Sequence, residues 1–98
     1  MNYIQEIANA IRSEVAPRAL PRGDTSDLFL MYAVLLLARG QDASREDVHN
    51  AWVAWMVSRG EEQASMVPFG ELPSDAQAED SPFVAAIRTV ARRRGTAS

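Results

Sequence analysis

Cysteine is absent from this 98-residue chain, so neither a disulfide framework nor a thiolate metal site is open to it. Lysine is absent as well: all ten basic residues are arginine. That bias is the mark of GC-rich coding, as in actinobacteria and their phages, rather than of a function. A formal net charge of −3 excludes a general nucleic-acid binder, which needs a basic face. No apolar run approaches the roughly 20 residues of a membrane span. The first eleven residues carry Glu6 and no basic cluster, so no secretory signal is read and the cytoplasm is the expected compartment. Aromatics make up only 7% of the chain, and there is a single histidine. Gly-rich phosphate loops and the Ser nucleophile elbow are also missing.

What is present is organised around Leu28–Ala38, LFLMYAVLLLA, eleven residues without charge, proline or glycine. Its length, its Leu/Met/Ala content and the Arg39-Gly40 stop predict a helix over about 27–39. It is apolar on every side, so other helices should wrap it on most sides, or a partner chain should cover the remainder. Each large side chain gains roughly 1.5–3 kcal/mol on full burial. The expectation is one all-α domain, a compact bundle of four to five helices around this buried rod.

The other helices follow from periodicity and caps. Ile4, Ile7, Ile11 and Val15 form one stripe over 3–15, with Asn2 and Gln5 in capping-box spacing. Pro17 and Pro21 end that helix and predict an extended, turn-like connection with Arg18 and Arg22 in solvent. Asp24, Thr25 or Ser26 caps the central helix, and Gly40 closes it in the left-handed region. Ser44 and Asp47 open a third helix that ends at Arg59-Gly60. Val48, Ala51, Trp52, Trp55 and Met56 line one of its faces. Residues 61–73 read as an ordered loop, its Met66-Val67-Pro68-Phe69 cluster tucked against the central helix. Ser74 and Gln77, in capping-box spacing, suggest a short helical turn. The last helix is expected over about 82–93, with Ser81 pushed out of helical geometry by Pro82 and Arg92–Arg94 complementing its negative end. A frayed tail is expected over 95–98.

Few residues offer chemistry. His49 has no convergent ligand partners, since Asp47 and Glu46 at i−2 and i−3 do not meet it on a helix, so no metal site is read. An enzyme would rest on His49 alone, and the expectation is a non-enzymatic protein without a cofactor. His49 is either a structural residue bonded to a loop carbonyl or a ligand contact. Trp55 reads as core. Trp52, one turn from His49, is either core or an open stacking platform for a base. The acidic pairs Glu61-Glu62 and Glu79-Asp80 read as solvated caps.

The ordered set HNAW at 49–52, Gly60, MVPF at 66–69, ELP at 71–73 and Asp80 resembles the RyR domain. That domain is a small helical module, repeated in ryanodine receptors and single in bacterial and phage proteins. The resemblance covers about residues 45–90. It departs from the family pattern at Met56 (for Arg), Glu61 (for Trp), Gln63-Ala64 (for His-Pro) and Gln77 (for Lys). It implies a binding module in which His49, Asn50 and Trp52 line a pocket for a nucleotide-type ligand, with Phe69 near it. The alternative is an interaction protein that binds a host protein or forms a homodimer, motivated by the all-round apolar central helix.

Overall fold

The computed structural model describes residues 1–96, and among them every regular element is helical. The helices are α1 (Tyr3–Ser13), α2 (Ser26–Arg39), α3 (Arg45–Ser58), the short α4 (Ser74–Ala78) and α5 (Ser81–Thr96). Single 3-10 turns stand at Pro17–Ala19, Gly40–Asp42 and Phe69–Glu71. No helix among the described residues is long and apolar enough to cross a membrane.

α2 is the hub. α1, α3 and α5 all pack on it, and Leu28, Phe29, Tyr32, Ala33 and Leu36 disappear into the core. Phe29, Tyr32 and Phe83 form an aromatic knot, with Phe29 edge-on to Tyr32 at 5.3 Å and Tyr32 5.6 Å from Phe83. Such offset ring pairs add to plain area burial. Of the stripe expected on α1, Ile7, Ile11 and, just past the helix, Val15 are buried, and Ile4 is half-buried. The jacket is incomplete, however. Val34 and Leu37 are 56% and 47% exposed, because α1, α3 and α5 cover only part of the rod's circumference. A 98-residue chain has too few helices to surround an eleven-residue apolar run on every side.

The ends are set by local chemistry. Asn2 and Gln5 exchange backbone–side-chain bonds of 2.9 and 3.0 Å, and Ser44 and Asp47 do the same at 3.1 and 3.0 Å. Both are reciprocal capping boxes that satisfy orphan N–H groups of the first turn. α2 differs. Thr25 stands at its N-cap position with a buried, unpartnered hydroxyl, and the carboxylate of Asp24 accepts from the Ser26 N–H instead (2.9 Å). Gly40 and Gly60 take positive φ, +57° and +70°, as helix stops require.

The turn in the link after α1 is a 3-10 turn at Pro17–Ala19, with Ala16 and Leu20 extended on either side of it. Three expectations are corrected. Ser81 is the first helical residue of α5, not a break before it. Gln77 does not cap α4; its Nε2 donates to the carbonyls of Phe69 (3.2 Å) and Leu72 (3.1 Å). Gly95 and Thr96 continue α5, and the remainder of the expected tail, 97–98, lies outside the described residues.

Candidate functional site

α3 places His49 and Trp52 three residues apart, so both side chains leave the same side of the helix. Their rings stack, 5.8 Å between centroids with 28° between planes. His49 is buried and Trp52 half-buried. Nε2 of His49 lies 2.7 Å from the carbonyl oxygen of Val67. A carbonyl only accepts, so Nε2–H is the donor, and in the neutral ring Nδ1 is left as the acceptor. This is the loop-carbonyl bond anticipated for a structural histidine.

The bond also settles where the loop goes. Phe69 packs against His49 at 6.1 Å, and the guanidinium of Arg45 covers Phe69 at 5.6 Å. The MVPF segment is therefore anchored on α3, not on α2 as its apolar character suggested. The imidazole supplies a polar partner for the loop backbone. Gln77 then ties the loop to α4 through its two carbonyl bonds.

Beside the stacked pair lies a cavity of about 420 Å³. That is within the roughly 300–1,000 Å³ of small-molecule sites. His49 and Trp52 form part of its wall, with Tyr32 from α2, Phe83 from α5, and Leu72 and Ala76 from the loop and α4. Gln63, Ser65, Glu79 and Asp80 add polar groups. No arginine is part of the lining, and two carboxylates are.

Asp80 departs from the solvated cap expected of it. Its backbone carbonyl accepts from Val84 N–H (3.1 Å), which puts the residue at the start of α5, where it is half-buried. One carboxylate oxygen, Oδ2, is buried without a hydrogen-bond partner. Burial pushes its pKa above the ordinary carboxylate value; Glu79 pushes the same way, and His49 and Arg45 act against it. Tyr32, sealed in the core near that charge, is raised well beyond the normal phenol range, by burial first and then by Asp80. It is a neutral hydroxyl under all ordinary conditions.

The four residues expected at a site separate here. His49 and Trp52 are on the cavity wall. Phe69 stands outside the lining, against the imidazole. Asn50 is exposed and lies outside the lining as well, because the residue after His49 turns about 100° round α3. Trp55 is core, 4% exposed, with Arg59 stacked over its ring at 4.4 Å. Asp80, Tyr32 and Phe83 were not anticipated. A carboxylate directly before the Ser81-Pro82 helix start was the available signal for Asp80; Tyr32 and Phe83 gave none, since both read as core. Among the described residues no group of three or more His, Asp or Glu is placed to hold a metal ion.

A family model described as a domain of unknown function (DUF7701) matches residues 2–92, and the chain belongs to that family. No curated protein and no solved structure matches it.

Proposed function

We propose that this member of the DUF7701 family is a small, non-enzymatic binding module of the cytoplasm that holds a planar, nucleotide-type ligand in the cavity beside His49 and Trp52. The observation behind the proposal is the stacked imidazole–indole pair on the wall of a cavity of about 420 Å³. Stacking on such a face is worth about 1–3 kcal/mol per base and tolerates different bases. The bond from His49 to Val67 holds the ring in place before any ligand arrives, which reduces the ordering cost of binding. The likeness of residues 45–90 to the RyR domain points the same way. The test is titration with nucleosides, nucleotides and cyclic nucleotides, followed by tryptophan fluorescence and melting temperature. A saturable change that disappears in Trp52→Ala supports the proposal. No shift with any of them at millimolar ligand overturns it.

A second reading rests on the uncovered face of α2. An apolar groove of about 670 Å³ runs between α1, α2 and α3, lined by Ile4, Leu30, Met31, Val34, Ala51 and Ala54 with Asn2 and Gln5 at its polar side. The occupant proposed is a second copy of the chain. Val34 in this lining and Leu37 one turn on leave an exposed apolar strip on α2 that a two-fold pairing would cover on both copies. The lining carries no charge, so nothing there selects a charged partner. Light scattering over a concentration series decides: a dimer abolished by Val34→Glu supports this reading, and a monomer at every concentration sinks it.

A further inference from the structure

We infer that the ligand of this cavity is an unphosphorylated heterocycle that presents adjacent N–H donors to the carboxylate of Asp80, a guanine-type edge. The inference rests on the binding reading above and names the chemistry that the site selects.

Three observations carry it. First, Oδ2 of Asp80 is out of water with no partner, while the residue is part of the cavity wall. An ionised carboxylate is an acceptor only, and a buried one left unpaired is costly. A donor brought by a ligand removes that cost, and a carboxylate turns easily about its last torsion to meet it. Second, the lining holds Glu79 as well as Asp80 and no arginine, and the chain has no lysine. A phosphate in this space would face two carboxylates with no arginine in the lining, Arg45 acting only from outside it. Third, the lining includes two aromatic pairs: Trp52 stacked with His49, and Tyr32 packed with Phe83. Aromatic rings in the lining beside the unpartnered Asp80 oxygen suit a planar ring that carries its donors on one edge.

The ring chemistry then ranks the bases. Guanine offers a ring N–H next to an exocyclic amino group, two donors that a single carboxylate can accept together. Adenine sets an acceptor nitrogen beside its amino group, and uracil flanks its N–H with two carbonyls, so each turns a lone pair toward Asp80. Asp80 is the residue that reads the edge; the stacked rings hold any base.

The experiment is calorimetric or fluorescence titration of the full chain with guanosine, uridine and guanosine 5′-monophosphate, on wild type and on Asp80→Asn. Guanosine is expected to bind tightest in the wild type, ahead of uridine and ahead of its own monophosphate. Loss of a charge-assisted bond predicts that Asp80→Asn weakens guanosine by about tenfold to a hundredfold. The inference is overturned if the monophosphate binds tighter than the nucleoside, if uridine equals guanosine, or if Asp80→Asn leaves guanosine affinity unchanged while stacking-dependent binding persists. The three-ligand comparison on wild type decides the matter even where the variant fails to fold. If no nucleoside or nucleotide binds at all, the stacking proposal itself falls and takes this one with it.

Discussion

The imidazole of His49 donates from Nε2 to the carbonyl oxygen of Val67 at 2.7 Å, across eighteen positions of sequence. It is the bond that joins α3 to the loop forming one side of the cavity, and it makes the only histidine of the chain a positioning residue for Trp52 and the loop together.

Removing that donor should loosen the loop without unravelling the bundle. His49→Ala leaves the half-buried Val67 carbonyl without its partner, at a cost of roughly 1 kcal/mol. Amide hydrogen exchange is expected to accelerate across 61–73, while α1, α2 and α5 keep their protection. Exchange that rises uniformly over the whole chain would mean that His49 supports the core rather than the loop.

Asp80 sets a pH dependence whose sign can be worked out. Its folded-state pKa is raised above the ordinary value of 3.8, by burial first and by Glu79 second. A raised folded pKa means that the folded state binds the proton more tightly. The associated stability is therefore fully present below pH 3.8 and is lost as pH rises through the folded value. Asp80→Asn, which mimics the protonated acid, is expected to raise the melting temperature of the free protein at pH 7. The gain should shrink as the pH approaches 4. A destabilised Asp80→Asn at neutral pH would show that the carboxylate has a partner in solution.

The start of α2 predicts opposite outcomes at adjacent positions. The Asp24 carboxylate accepts from Ser26, and those hydrogen bonds hold its pKa below the usual range. The Thr25 hydroxyl is buried and pairs with nothing. Asp24→Ala should lower the melting temperature, whereas Thr25→Val, which removes an unpaired polar atom at nearly equal volume, should be neutral or stabilising. Equal losses at both positions would contradict this division of labour.

Along α2 the cost of truncation should follow exposure rather than residue type. Leu28 is fully buried, and Leu28→Ala is expected to cost about 2–5 kcal/mol by urea unfolding. Leu37 is nearly half exposed, and Leu37→Ala should stay within about 0.5 kcal/mol for the isolated chain. A large loss at Leu37 that grows with protein concentration would place that face in a dimer.

What the linear order of residues determined is what neighbours within one turn decide. The all-helical class, the extents of α2 and α3, the two reciprocal caps and the positive-φ stops at Gly40 and Gly60 all follow from periods of three and four residues and from groups that bond across one turn. The pairing of His49 with Trp52 was legible for the same reason, since three residues on a helix fix a shared side. Tertiary structure decided everything that needed two distant segments to meet. It chose α3 over α2 as the anchor of the MVPF loop, through the bond of His49 to Val67 and the packing of Phe69 on the imidazole. It left Val34 and Leu37 bare, because three packed helices do not encircle a fourth. It turned Asp80 from a solvated cap into an unpaired acceptor on a cavity wall, because burial depends on what lies opposite a side chain, and nothing in a run of neighbours records that.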